Sequence, residues 1–286
     1  MKISAIIILY YPNHEDLFKN ISSCIESVDK LIIWDNTPDI DASHNYDFIK
    51  KFGQNILYLT EGKNIGIAAG LNRAIGWSVK NGFSHILTLD QDSSFENGHL
   101  ASFCEIIEQV KRKDIGVYSP NIRSRGKLEF SQTTDYLEVT DAITSGSIIP
   151  LILFKEVGLF EEDLFIDAVD YEFCYRIFRL GYKTIIIPKI VLNQTYGYRT
   201  KTAWGFHTLN YSPERTYFIV RNHITIWRKY PDLFPFRYKR KLIKKYIFER
   251  IIKIILAEKD KQKKIKAIVI GITDGLKGKL GNIRSF

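Results

Sequence analysis

Cysteine, proline and methionine are scarce in this 286-residue chain, at 3, 8 and 1. Cys24, Cys104 and Cys174 are scattered, odd in number and without Cys-x-x-Cys or Cys/His ligand spacing, so they give no disulfide framework or zinc centre. They point instead to small buried thiols in a reducing compartment. No run approaches the ~18 uninterrupted apolar residues of a membrane span. The opening MKISAIIILYY soon meets Pro12 and Asn13 and lacks a small-residue cleavage site, so it reads as a strand and not a leader. Internal repeats and low-complexity linkers are also absent.

A hydrophobic content of 45% with 13% aromatic residues fits a globular chain with a substantial core. The net charge of +9 is unevenly spread. Residues 237–286 hold 16 Lys/Arg against 4 Asp/Glu, a balance of +12, which leaves −3 for the first 236 residues. A domain built to grip phosphate backbones carries its charge on its own face, so no nucleic-acid partner is expected for the body.

Strand-like and helical segments alternate through the first half. Lys2–Tyr10, Lys30–Asp35, Asn55–Thr60, His85–Asp90 and Gly116–Ser119 read as strands. Glu15–Ser27, Asp47–Phe52, Asn64–Asn81 (capped by Asn64) and Asn97–Lys113 read as helices. The repeated strand–helix order predicts a mostly parallel sheet with helices on both faces. Right-handed crossovers then place the carboxyl ends of the strands on one edge, where open α/β sheets bind ligands. Asp35, Asn64 and Asp90 fall at that edge. Beyond residue 120 the pattern changes. Gly126–Tyr136 reads as a hairpin or loop and Val139–Ile149 as an apolar stretch. A helix over Ala168–Leu180 is followed by a strand over Lys183–Pro188, and then helices over Glu214–Tyr230, Tyr238–Leu256 and Lys261–Gly271.

Three groups of residues carry chemistry. Asp90-Gln91-Asp92, at the mouth of a strand, can present two carboxylates to a hard divalent cation that keeps positions open for phosphate oxygens. Alone, Asp-x-Asp is more often a solvated turn. Asn64-Ile-Gly66-Ile-Ala-Ala-Gly70-Leu-Asn72 opens a helix with small residues, which lets backbone N–H groups approach a phosphate or lets the helix pack closely on the sheet. It is not Gly-x-Gly-x-x-Gly, which disfavours a dinucleotide site. In LFIDAVDYEFCYRIFRLGYK, Asp167 can cap a helix, and Asp170 in its first turn is kept ionised by the helix dipole, as a general base must be. Glu172 and Arg176 have the spacing of an ion pair, and Phe173 and Cys174 should face the core.

In this order and at these intervals, the three groups resemble the family 2 glycosyltransferases of A-type fold, over roughly residues 3–230. LFIDAVDYEFCYRIFRLGYK, ITSGS at Ile143–Ser147, ERTYFIVRN at Glu214–Asn222 and GITDGLKGKLG at Gly271–Gly281 look like the bacterial rhamnosyltransferase branch. The resemblance implies a nucleotide-diphospho-sugar transferase (GT-A) fold with a mostly parallel central sheet flanked by helices and a C-terminal helical extension. It implies a catalytic domain over 1–230, with a nucleotide-sugar half over 1–120 and an acceptor half over 121–230, and a basic extension over 231–286. Leu9, Tyr10 and Asp35 match positions contacting the nucleotide base. Asn64, Gly66 and Asn72 match the stretch beside ribose and diphosphate. Asp90, Gln91 and Asp92 match the metal motif, with Asp92 the more direct ligand to Mg²⁺ or Mn²⁺. Ser145, Gly146 and Asp167 match the acceptor side, Asp170 the catalytic base, and Arg221 and Asn222 a late pair near the diphosphate or acceptor. Tyr11 stands where relatives often have Asn, and Asn193 near where they often have a His; His207 can supply the third metal ligand.

The implied reaction is a single displacement with inversion at the anomeric carbon. The donor implied is dTDP-L-rhamnose, with UDP-hexoses second. The acceptor implied is a saccharide or a polyprenyl-diphosphate-linked saccharide, in a cytoplasmic enzyme peripheral at the inner face of the membrane. The helix YKRKLIKKYIFERIIKIIL suits an anionic bilayer, or packing on the body or on a second subunit as a homodimer. A nucleotidyltransferase also pairs carboxylates with a metal, but needs a Lys/Arg-rich loop where this chain has LYYPNHED. A basic nucleic-acid-binding protein is the reading from a different class.

Overall fold

In the computed structural model the described residues are 1–194, 200–201, 207–234, 236–281 and 286. They divide into two compact units, Met1–Phe160 with Phe173–Tyr196, and Glu161–Glu172 with Gly197–Phe286. Glu161–Glu172 thus groups with the C-terminal helices, a join that a linear division at residue 120 or 230 does not anticipate.

The first unit begins β1 (Ile3–Leu9), α1 (His14–Cys24), β2 (Lys30–Asp35), α2 (Asp39–Ile49), β3 (Ile56–Thr60), α3 (Ile67–Lys80) and β4 (His85–Asp90). It continues β5 (Ser93–Phe95), α4 (His99–Gln109), β6 (Ile115–Ser124), β7 (Lys127–Leu128), β8 (Leu137–Val139), β9 (Ser147–Pro150), α5 (Leu153–Val157), α6 (Val169–Arg179) and β10 (Lys183–Gln194). The start of α6 lies in the second unit.

The sheet order is β3-β2-β1-β4-β9-β6-β10-β5, with β7 beside β6 and β8 beside β10. Ladders β3-β2-β1-β4 and β6-β10 are parallel; β5, β7, β8 and β9 join antiparallel, so the sheet is mixed beyond β4. Strand β1 (ISAIIIL) is buried along nearly its whole length, as a central strand covered on both faces must be. Asn13 starts α1 by accepting the Glu15 and Asp16 N–H groups. Gly70 lets α3 lie close to the sheet, since a Cβ there would sit 2.9 Å from the Trp34 ring.

The second unit contains a hairpin of β11 (Thr200–Lys201) and β12 (His207–Thr208), then α7 (Pro213–Lys229), α8 (Phe236–Leu242), a π-helical turn (Ile243–Phe248), α9 (Glu249–Ala257) and α10 (Lys261–Lys277). Helix α7 starts on Ser212, whose hydroxyl accepts the Arg215 N–H, with Pro213 in the first turn. Helix α10 rests on α7 through Gly271 and Gly275. A Cβ at Gly275 would stand 2.8 Å from the Arg221 carbonyl oxygen and 2.9 Å from Ile224 Cβ. Among the described residues no helix is long and apolar enough to cross a membrane.

Candidate active site

Parallel register brings the predicted edge together. Leu9 lies opposite Asp35, Ile8 opposite Asp90, and Asp35 opposite Thr60. The loop before α3 is pinned to the same edge, because Asn36 donates to the Gly66 carbonyl (3.1 Å) and accepts the Ile65 N–H (3.2 Å). Asn64 does not cap α3. Its side chain accepts the Gly66 N–H at 2.9 Å, and the helix begins at Ile67 with Gly66 as cap residue. A short Asn side chain bonds as readily to the backbone two residues on as to a helix end.

Several residues expected at the nucleotide are buried. Leu9 is fully buried in the core, and its carbonyl accepts the Asn36 N–H. Asp35 is fully buried too; its carboxylate accepts Tyr58 OH (2.7 Å), the Thr37 N–H (2.8 Å) and Asn45 Nδ2 (2.9 Å). It thereby holds the Asn36–Thr37 turn. Burial and the Asp35 carboxylate push the Tyr58 hydroxyl far above its ordinary range, so it stays a donor. Asn72 brackets α3 to the backbone N–H and carbonyl of Phe160. At the surface of the edge stand Tyr10 and Tyr11, half exposed and edge to face, with Tyr11 at φ 46. Tyr11 donates its hydroxyl to Asp41 at 2.7 Å.

The Asp90-Gln91-Asp92 turn between β4 and β5 is half-buried and held on all sides. The Asp90 N–H donates to Ser145 Oγ (3.1 Å), Ser145 donates to Ser93 Oγ (2.9 Å), and Ser93 donates back to the Asp90 carbonyl (2.9 Å), closing a ring. Asn20 Nδ2 donates to the same carbonyl at 2.5 Å, and Gln194 Nε2 to Asp90 Oδ2 at 2.7 Å. Gln91 grips the Tyr10 backbone with both ends of its amide, at 2.8 and 3.2 Å. Ser145, expected at the acceptor, is 1% exposed, and its hydroxyl is spent in this ring. Gly146 turns the chain at φ 80, where a Cβ would lie 2.7 Å from Pro120.

In the second unit, the approach to Asp170 is strained. Phe165, Asp167 and Ala168 all have positive φ, at 64, 63 and 66. Such backbone costs of order 1–3 kcal/mol per residue and persists only where its surroundings enforce it, typically at functional sites. The enforcers are Arg221 and Asn222, both fully buried. Asn222 Nδ2 lies 2.7–2.8 Å from the carbonyl oxygens of Leu164, Ile166 and Asp167. Arg221 donates to the carbonyls of Asp163 (2.7 Å), Leu164 (3.2 Å) and Gly281 (3.0 Å). The pair, expected beside the diphosphate or acceptor, clamps the loop.

Asp170 follows in the first turn of α6, half-buried, accepting the Tyr171 N–H at 2.9 Å. Asp167 is ion-paired with Arg215 at 3.3 Å, yet burial leaves its carboxyl above the usual range. Burial, then the charges of Asp167 and Asp170, raise the Tyr246 hydroxyl, which sits on the π-helical turn. Tyr246 stacks on His223 at 4.5 Å, and His223 meets Tyr171 at 5.7 Å. Glu172 is buried and accepts Lys229 Nζ (2.9 Å) and Tyr230 OH (2.8 Å). Phe173 and Cys174 face the core, as read from the sequence. His207 stands exposed on β12.

The chain is 27% identical over 300 aligned residues to the dTDP-rhamnosyl transferase RfbF of Shigella flexneri, covering 99% of this chain and 98% of that protein. No family model matches. Among solved structures, GalNAc-T7 with UDP, GalNAc and Mn²⁺ aligns with a TM-score of 0.57 at 14% identity, over 86% of this chain and 55% of that one. S. aureus TarS 1–349 in complex with UDP aligns with a TM-score of 0.52 at 14% identity, over 97% and 72%. The chain has the fold of an A-type glycosyltransferase. The likeness to bacterial rhamnosyltransferases read from the sequence is borne out by the full-length match to RfbF.

The residues around Asp90 fit a divalent cation. Two carboxylates on one turn are the donors that Mg²⁺ or Mn²⁺ takes when phosphate oxygens and water complete its shell. Both amides that fix Asp90 carry a buried oxygen without a hydrogen-bond partner, Asn20 Oδ1 and Gln194 Oε1. A buried unpaired acceptor is costly in a dry site and less so beside a cation. Among the described residues no three His, Cys, Asp or Glu side chains gather into a metal-ligand group. Asn20, Ser93 and Gln194 were missed by sequence reading. Their partner Asp90 lies 70, 3 and 104 residues away, and only Ser93 left a local signal, its place just past Asp-x-Asp.

Proposed function

We propose that this chain is a metal-dependent, inverting glycosyltransferase that moves L-rhamnose from dTDP-rhamnose to a hydroxyl of a saccharide or polyprenyl-diphosphate-linked saccharide. Its setting is the synthesis of a cell-surface polysaccharide. The reading is carried by the near full-length similarity to RfbF, and is supported by Asp90 at the end of β4 beside β1 and by the Gly66 loop tied to Asn36 just past β2. Asp92 and Asp90 would hold Mg²⁺ or Mn²⁺, with the Gln194 amide oxygen beside them. When bound, the cation neutralises charge that develops on the leaving diphosphate. Tyr10 and Tyr11 offer ring faces to the thymine base, and Gln91 ties the Tyr10 backbone to the carboxylate turn. Asp170, held ionised by its place in the first turn of α6, takes the acceptor hydroxyl's proton. One carboxylate base with no enzyme nucleophile gives inversion. The basic C-terminal helices meet the inner face of the membrane, where a polyprenyl-linked acceptor resides.

A panel of dTDP- and UDP-linked sugars with Mg²⁺ or Mn²⁺, read by thermal shift and slow donor hydrolysis, tests the donor. dTDP-rhamnose should give the largest stabilisation, and a larger response to a UDP-hexose would replace it. Asp170→Asn should keep donor binding and lose transfer by about 10²- to 10⁴-fold, the usual contribution of a positioned base. Asp92→Ala should lose the metal-dependent part of donor binding. Wild-type transfer by Asp170→Asn would move the base elsewhere.

A further inference from the structure

Helix α9, taken with the end of the π-helical turn that leads into it, is apolar on two sides. One side turns inward: Ile254 is fully buried, and Ile247 and Ile251 are half-buried. The other side carries Phe248, Ile252, Ile255 and Leu256, which are 62%, 55%, 54% and 46% exposed. The spacing of four and then three residues puts Phe248, Ile252 and Ile255 on a single stripe, with Leu256 at its margin. Helix α10 repeats the arrangement. Ala267, Ile268 and Gly271 are buried, while Val269 and Leu276, seven residues apart, are 58% and 54% exposed. A helix that only packs on its own unit needs one apolar stripe, and a second one left in water marks a binding surface. Around the stripes lie the exposed cations Lys244, Lys245, Lys259, Lys261, Lys263 and Lys266.

We propose that the outward stripe of α9, Phe248-Ile252-Ile255-Leu256, is the surface by which this protein docks on an anionic lipid bilayer. Its apolar side chains enter the headgroup–acyl boundary while the neighbouring lysines stay among the phosphates. The charge argues for this occupant. Residues 237–286 carry +12, so a second copy laid on the same face would bring two strongly cationic surfaces together. A bilayer containing acidic lipids supplies both the apolar medium and the opposite charge, and lysines near such a surface add to binding until salt screens them. The contact is interfacial. It rests on the membrane-facing part of the function proposed above and is independent of the sugar chemistry, so vesicle binding and donor turnover can fail separately.

The test is sedimentation of the full chain with vesicles of mixed phosphatidylcholine and phosphatidylglycerol, and with vesicles of phosphatidylcholine alone. The wild type should sediment with the mixed vesicles, lose binding as salt rises, and bind the neutral ones weakly. Ile252→Ser and Ile255→Ser should each lower the partition coefficient about tenfold, the worth of half-burying an aliphatic side chain in an apolar medium. Both residues face outward, so far-ultraviolet circular dichroism should not change. Lys244→Gln with Lys245→Gln, at two exposed positions, should reduce the preference for mixed over neutral vesicles. Absence of binding to mixed vesicles, or equal partition of wild type and Ile252→Ser/Ile255→Ser, overturns the proposal. So does a dimer in sedimentation equilibrium that Ile252→Asp dissolves, because the stripe would then belong to a second copy.

Discussion

Replacing Ser145 by Ala separates two roles for the Ile143–Ser147 segment. The sequence resemblance puts Ser145 at the acceptor, whereas the structure spends its hydroxyl between the Asp90 N–H at 3.1 Å and Ser93 Oγ at 2.9 Å. Deleting Oγ removes both bonds and leaves the Asp90 N–H without that acceptor. A hydrogen bond of this kind contributes about 1 kcal/mol net, and an orphaned donor costs about 1–3 kcal/mol. A loss of about 2–3 kcal/mol follows, or roughly 3–5 °C in Tm for a protein of this size. The consequence for function is a looser Asp90. Groups that orient a metal ligand without touching the metal are worth roughly 10–100-fold in metal affinity, so the Mn²⁺ dissociation constant should rise by about that factor. Mn²⁺ binding followed by electron paramagnetic resonance reads this without acceptor or turnover. Ser93→Ala breaks the same ring from a residue outside the acceptor segment and should reproduce the metal effect. If Ser145→Ala raises only the acceptor KM, with Mn²⁺ affinity and Tm unchanged, the hydroxyl meets the acceptor and the positioning role is wrong.

Arg221→Met should destabilise the second unit by about 3 kcal/mol, because the carbonyls of Asp163, Leu164 and Gly281 lose a buried donor. In steady-state kinetics kcat should fall with donor KM unchanged; a selective rise in donor KM would put Arg221 at the diphosphate. Gly146→Ala places a Cβ 2.7 Å from Pro120 at a backbone φ of 80, so a stability lower by about 2 kcal/mol or more is expected in urea unfolding, and an unchanged midpoint would refute the turn geometry. Burial, aided by Lys245, lowers the His223 imidazole to about 4, and burial lowers His85 likewise to about 4. The unfolded chain therefore binds more protons between about pH 6.5 and 4, and stability is lost as pH falls through that window. His223→Gln should flatten this slope in urea titrations at stepped pH; an unaltered slope would mean His223 is protonated in the native state.

The strands that end in the site were legible almost to the residue. Lys30–Asp35 and His85–Asp90 each run from a polar start through β-branched and aliphatic residues to an Asp, and the observed bounds are the same. The sequence marks a helix only over Asp47–Phe52, because DASHN offers no apolar period, whereas α2 starts at Asp39 with only Ala42, Asn45 and Ile49 buried. Pro188 hid the length of β10, which was read as ending at that residue. The strand continues to Gln194 across a register shift between Ile187 and Val191, the irregularity that lets a strand hold a proline. The five residues of α5 are too few for a periodic signal. In the site, residue types were legible and roles were less so. Asp35, Ser145, Arg221 and Asn222 were singled out by resemblance, but their bonds reach partners that no window of sequence joins, such as Ser145 with Asp90 or Arg221 with Asp163.

The C-terminal fifty residues look in the sequence like an electrostatic appendage. Their inner side has another task. Gly271 and Gly275 let α10 approach the backbone of α7 at Tyr217 and Arg221, closer than any side chain would permit. Gly281 supplies one of the carbonyls that Arg221 grips, and Tyr217 binds Asp274 at 3.0 Å. Buried Glu258 receives Lys264, Arg250 and the Thr208 hydroxyl, so even a lysine of the basic run is held inside. Arg221 in turn fixes the strained Phe165–Ala168 segment that delivers Asp170. A buried guanidinium whose partners are mainly neutral carbonyls tolerates little loss, since burial already pulls it below its ordinary pKa and each missing acceptor leaves charge uncompensated. The extension is thus part of the machinery that aims the proposed base. Its two faces can be dissected only by point substitution, outward at Ile252 and Ile255 for lipid, and inward at Gly275 for catalysis.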